Sequence, residues 1–261
     1  MPLAENSKEL EWIRRYRLID DTFMRVVFMN PQCTELLIRC ILQNHDLKVL
    51  KVESQKELKN LHGRSVVLDI LAADTAGTYY DIEVQRADPG AAPKRARYNS
   101  SLLDANLTRK GDAYDALNET YVIFITENDV LRGGLPIYHI NRIIEEMGKS
   151  FGDEAHIIYV NSQIKDDTAL GKLMHDFTCT NPDDMNYPVL AQRVRYFKED
   201  TKGVATMCRA FEEVREETKH EQSIEIAKSL LEVGKMTYEE IARSVQLPVE
   251  EVKALDTKKP A

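Results

Sequence analysis

The sequence predicts an α/β core followed by an all-helical portion. Three observations carry that expectation. Two strand-like runs, Ser65 to Ala73 and Tyr79 to Gln85, stand next to each other and are joined by Asp74-Thr-Ala-Gly77. A helical segment and a further apolar strand follow them, which is the alternation expected of a mixed sheet covered by helices. From Asp166 onward the pattern is helical, apart from breaks at Asn181-Pro182 and Tyr187-Pro188.

Taken in order, the first predicted helix follows Asn30-Pro31, with the apolar series Leu36, Leu37 and Ile41. Asn30 can cap it, and proline suits a first helical position. Leu47 to Val52 is a short β-rich run. Ser65 to Ala73 is almost wholly apolar, as in a strand covered on both faces. Tyr79 to Gln85 alternates with a period of two, and the Gly-ended turn before it makes the pair a hairpin. After the break Asp88-Pro-Gly-Ala-Ala-Pro93 the spacing predicts a helix from Lys94 to about Leu107. Glu119 to Thr126 reads as a buried strand, with shorter strands near Ile137 and at His156 to Val160. Residues 1–165 are expected to form the α/β core and residues 166–261 a helical C-terminal region. Gly203 is read as a hinge before the final charged helices.

Composition excludes several classes. The 261 residues are 43% hydrophobic and 30% charged, enough for one sizeable core with a smaller appendage. No apolar run reaches the roughly 18 residues of a membrane span, and the polar, acidic stretch from Met1 to Trp12 lacks a signal-peptide core. The expectation is a cytoplasmic protein without membrane attachment. Cys33, Cys40, Cys179 and Cys208 are scattered, so free thiols are expected and structural zinc is not. A net charge of -8 argues against a protein that coats DNA non-specifically. It leaves room for an enzyme with a local basic groove.

Asp69 is the first residue that points to chemistry. It stands in Val66-Val-Leu-Asp-Ile-Leu-Ala-Ala73, where a carboxylate is costly to desolvate unless it pairs, accepts hydrogen bonds or holds a cation. On the next strand Tyr79, Asp81, Glu83 and Gln85 share one face by the period of two. Across a hairpin Glu83 comes level with Asp69, and two carboxylates that close repel unless a divalent cation lies between them. Mg²⁺, with Mn²⁺ as a substitute, suits such an oxygen site and can acidify a water and neutralise charge on a phosphate. The alternatives are a structural, hydrogen-bonded Asp69 and an ordinary solvated face for Asp81, Glu83 and Gln85.

Asp69, then Glu83-Val84-Gln85 after a short hairpin, then a helix and a strand, resembles the PD-(D/E)XK nuclease core. The longer pattern comprises Leu68-Asp-Ile-Leu-Ala-Ala-Asp74, Ile82-Glu-Val-Gln85, Arg97-Tyr98, Gly111-Asp-Ala-Tyr114, and Leu173-Met-His-Asp-Phe177 with Asp184-Met185. It is similar to the Rpn-like recombination-promoting nuclease or transposase group, from about Asp20 to Phe197. The resemblance implies a restriction-endonuclease-like mixed sheet flanked by helices. It implies Asp69 and Glu83 as metal ligands, the Val84 carbonyl as a third, and a link to DNA recombination or a mobile element. Gln85 occupies the position of the motif's usual lysine; an amide can orient a water or contact a phosphate but cannot act as a base. Glu35 is the candidate for the upstream helical glutamate of such sites, its other reading being an i,i+4 partner of Arg39.

The helix after the site begins Lys94-Arg95-Ala-Arg97-Tyr98. Lys94, Arg95 and above all Arg97 are expected to meet the phosphate backbone of DNA, against the reading of a surface ion pair. Tyr98 reads as core. Arg193, Arg195 and Lys198 read as solvated helix charge. Residues 223–256 resemble a helix-turn-helix, with a capping box at Thr237-Tyr-Glu-Glu240. Glu250 and Glu251 on its last helix oppose a recognition role, and Lys258 and Lys259 are too few to compensate. A packing or self-association module, making homo-oligomers through these helices, is the competing reading. The sequence as a whole therefore predicts a metal-dependent DNA endonuclease. Its alternative is a catalytically weak or inactive nuclease-fold protein that binds DNA or assembles.

Overall fold

The computed structural model describes residues 7–60 and 63–256. Six strands form one mixed sheet in the order β1 (Val49–Leu58), β2 (Val66–Asp74), β3 (Tyr79–Gln85), β4 (Thr120–Thr126), β8 (Ala155–Asn161) and β5 (Ile137–Ile140). The expected hairpin is present: β2 and β3 are antiparallel, with Leu71 opposite Asp81 and Ala73 opposite Tyr79. β3, β4 and β8 run parallel, which requires crossovers. The helix α4 (Pro93–Leu107) makes the first of them. A separate small hairpin pairs β6 (Ile143–Ile144) with β7 (Lys149–Ser150). This is the mixed sheet with flanking helices that the pattern implied.

Two helices were not read from the sequence: α1 (Ser7–Arg15) and α2 (Asp21–Phe28). α2 is only 8 residues long, too short to be stable alone, and is fixed by tertiary packing. Phe23, Met24, Val27 and Phe28 are fully buried. α3 (Pro31–Leu42) begins as expected, with the Asn30 side chain accepting from the amides of Gln32 and Cys33. Phe28 stacks on Phe177 of α5 (Ala169–Thr178), and Phe23 meets Phe197 of α6 (Pro188–Glu199) edge-on. α5 and α6 thus pack against α2 and α3, whereas periodicity alone had grouped them with the C-terminal helices. α4 packs on the sheet through Leu102 and Leu103, which join Leu58, Leu68 and Leu71.

The chain divides into two compact units, Met1–Met207 and Cys208–Ala261. Gly203 is not an interruption: it lies inside α7 (Thr201–Val233), where a Cβ would sit 2.0 Å from the Tyr196 carbonyl oxygen. Close approach to that carbonyl, not hinging, requires glycine there. In the second unit Ala227, Ile241, Ala242, Val245, Leu247 and Val252 form a small core. α8 (Tyr238–Val245) carries the expected capping box between Thr237 and Glu240. In α9 (Val249–Leu255) Glu251 pairs with His220 and Glu250 with Lys253. Lys258 and Lys259 lie outside the described residues.

Candidate active site

The β2–β3 ladder stops at Ile70 opposite Ile82. Beyond it β2 continues against β1 alone and β3 against β4 alone, so the two strands part at Asp69 and Glu83. Each strand's next backbone donor is taken by the other's carboxylate. The Asp69 amide donates to Glu83 Oε1 and the Val84 amide donates to Asp69 Oδ2, both at 3.3 Å. The sequence expectation that Asp69 and Glu83 lie level across the hairpin therefore matches their placement.

Glu83 and Asp81 are fully buried. The solvated-face alternative for this strand fails because α4 covers it. Arg95 donates to Glu83 Oε2 at 2.5 Å and to the Gly90 carbonyl at 2.8 Å. The Asn99 amide donates to Asp81 Oδ2 at 3.2 Å, which leaves Asp81 Oδ1 buried with no hydrogen-bond partner. Burial pushes the Asp69 carboxyl up to about 8, and the nearby Glu83 charge adds to the effect. Burial also raises Glu83, with the Asp81 charge adding and Arg95 opposing. Asp81 is raised by burial as well, against the Asn99 hydrogen bond.

Gln85 donates to Glu83 Oε2 at 3.4 Å, and its Oε1 packs against Gly90, where a Cβ would meet it at 2.0 Å. Lys94 and Arg97 are exposed, and among the described residues neither has an ion pair. Arg95, expected beside them as a phosphate contact, instead turns inward to Glu83. Glu35 accepts from the Val49 amide and pairs with Arg39, so it fastens β1 to α3; no contact among the described residues joins it to Asp69 or Glu83. The helical charges that do act on Asp69 are Asp21 and Arg25 of α2, a helix of 8 residues too short to show in the sequence pattern.

Tyr98 packs with the leucines under α4, its hydroxyl donating to the Arg64 carbonyl. Lys198 is no solvated charge: it is buried and its ammonium donates to the carbonyls of Arg14, Tyr16 and Thr180. Arg193 lies 4.4 Å over the Phe197 ring, and Arg195 pairs with Asp183.

A family model described as PD-(D/E)XK nuclease family transposase matches residues 20–169, more than half of the chain. The chain belongs to this family. No curated protein and no solved structure matches it. The matched segment spans α2 to the start of α5 and so contains the parted strands with Asp69, Asp81 and Glu83, and α4 with Arg95 and Asn99. PD-(D/E)XK nucleases generally use divalent metals, and the donors here fit one. They are oxygen atoms throughout, the carboxyls are held high by burial and mutual repulsion that a cation reverses, and Asp81 Oδ1 is an orphaned buried acceptor. A second group, His175, Asp176 and Cys179, brings three potential ligand atoms within 4.8 Å of one another. Asp176, however, is spent on the amides of Asn186 and Tyr187, which tie α5 to the start of α6. Among the described residues no helix is long and apolar enough to cross a membrane.

Proposed function

We propose that this PD-(D/E)XK family member is a divalent-metal-dependent DNA endonuclease, with Mg²⁺ or Mn²⁺ held by Asp69, Glu83 and the Val84 carbonyl. The observation that carries the reading is the break in strand pairing at Asp69 and Glu83, where two carboxylates cross the opening. A bound cation supplies Lewis acidity, acidifying a water and neutralising charge on the scissile phosphate.

The chain's own residues do the rest. Asp69 and Glu83 are fixed by backbone amides, so their geometry is set before substrate arrives. Arg95 compensates Glu83 while no cation is bound and, when released, offers a guanidinium to a phosphate. Gln85 orients the attacking water or contacts a phosphate oxygen, since its amide cannot take a proton. Exposed Arg97 and Lys94 meet the DNA backbone at the start of α4.

The experiment incubates purified protein with DNA and Mg²⁺ or Mn²⁺, comparing wild type, Asp69→Ala and Glu83→Ala. Cleavage by wild type alone is expected. Equal cleavage by all three overturns the assignment, and absence of cleavage by any of them favours a nuclease fold that binds DNA without cutting it.

A further inference from the structure

A cavity of about 320 Å³ opens beside the proposed catalytic motif, lined by Trp12, Arg15, Tyr16, Arg17, Asp20 and Arg86. Trp12 is the one tryptophan of the chain and is 66% exposed. Trp12, Arg15 and Tyr16 are spaced i, i+3 and i+4, so they share one side of α1 and its end, while Ile13 is buried in the core. Arg86 follows Gln85 directly, beyond the carboxyl end of β3, and Glu127 stands likewise beyond β4. In open sheets with parallel strands the carboxyl ends are where ligands gather.

The charges on this wall are ordered in advance. Arg86 Nη1 and Arg17 Nη2 both meet Asp20 Oδ1, at 2.9 and 3.4 Å, while Arg86 Nε and Arg17 Nη2 reach the two oxygens of Glu127, at 3.0 and 3.5 Å. The two acids hold the two guanidiniums side by side, which lowers the entropy that an incoming anion must overcome. Arg15 is exposed and has no ion pair among the described residues. Three arginines against the two carboxylates, Asp20 and Glu127, leave one positive charge in excess, carried by Arg15 at the cavity. An exposed indole next to ordered guanidiniums is the arrangement that accepts a base on its face and phosphates at its edge.

We propose that this cavity is a nucleotide subsite for single-stranded DNA, in which an unstacked base lies on Trp12 and adjoining phosphates meet Arg15, Arg17 and Arg86. The inference deepens the nuclease reading and rests on it for the identity of the substrate. It assigns to the enzyme a preference for DNA with an unpaired segment or frayed end, because a base locked in a duplex cannot reach the indole face.

The test uses the full chain in EDTA, so that binding is separated from cutting. An oligothymidylate is titrated while tryptophan emission is followed, and Trp12 alone contributes to that signal. Saturable quenching is expected, weaker with a blunt duplex of equal length. By anisotropy of a labelled oligothymidylate, Trp12→Ala binds about 5- to 100-fold more weakly, the range typical of losing one base stack. Arg15→Ala lowers the salt dependence by roughly one phosphate contact. Both side chains are exposed, and circular dichroism checks that the variants fold. Unchanged emission at saturating oligonucleotide, equal quenching by duplex, or unaltered affinity of Trp12→Ala overturns the proposal. If emission is unchanged while wild type cleaves DNA with Mg²⁺, the subsite falls and the nuclease reading stands. Quenching without cleavage does the reverse.

Discussion

Arg95 Nη2 lies 2.5 Å from Oε2 of Glu83, a carboxylate that is otherwise sealed from solvent. The arginine is therefore the counter-charge of Glu83, and a cation bound by Glu83 competes with it for the same oxygen.

Replacing it tests that competition. Arg95→Ala leaves Glu83 Oε2 with only the long Gln85 contact and is expected to lower stability without added metal by about 1–3 kcal/mol, the usual range for a buried acceptor that loses its main partner. Added Mn²⁺ then raises the melting temperature of Arg95→Ala by more than it raises that of wild type. Thermal melts with and without metal read both effects, and an equal metal increment in the two proteins contradicts the competition.

The raised Asp69 carboxyl gives a pH dependence with a definite sign. Its ordinary value is 3.8 and burial with the Glu83 charge lifts it to about 8, so the folded state holds a proton that the unfolded chain releases. Stability from this group is fully present below about pH 4 and is lost as pH rises toward 8. Asp69→Asn removes that slope, so denaturant midpoints between pH 5 and 8 should change less in the variant than in wild type. Because ligands must lose their protons first, metal binding grows tighter over the same interval. Calorimetric titration of Mn²⁺ at pH 6 and pH 8 should show the difference in wild type.

Gly90 and Gln85 form a second coupled pair. A Cβ at position 90 meets Gln85 Oε1 at 2.0 Å, so Gly90→Ala displaces the amide that reaches Glu83. The single substitution is expected to reduce cleavage. In a Gln85→Ala background the same substitution costs little further, and a double-mutant cycle on cleavage rate measures the coupling. Additive losses show that the two residues act independently.

Lys198 clamps three backbone carbonyls from α1, the segment after it and the loop after α5. Lys198→Met leaves all three without their donor and is expected to cost at least about 3 kcal/mol. Chemical denaturation checks this, and a loss below 1 kcal/mol indicates that water replaces the ammonium.

The sequence alone determined the hairpin and its contents. The apolar run around Asp69, the Gly-ended turn and the alternation from Tyr79 to Gln85 fix strand type and register, because a one-residue slip puts every side chain on the wrong face. The Asn30 cap and the Thr237 capping box were equally legible, since both are local hydrogen-bond patterns. What tertiary structure decided lies where a residue's meaning depends on what packs over it. Periodicity shows that Asp81 and Glu83 share a face with Gln85, but only the placement of α4 makes that face dry and turns Arg95 inward. Lys198 has the same composition as a solvated charge and becomes a buried clamp through residues nearly two hundred positions away. α2, with the charges that act on Asp69, is too short to announce itself and takes its helical form from the core it completes. Local patterns set strands, turns and caps; desolvation and long-range pairing set the electrostatics of the site.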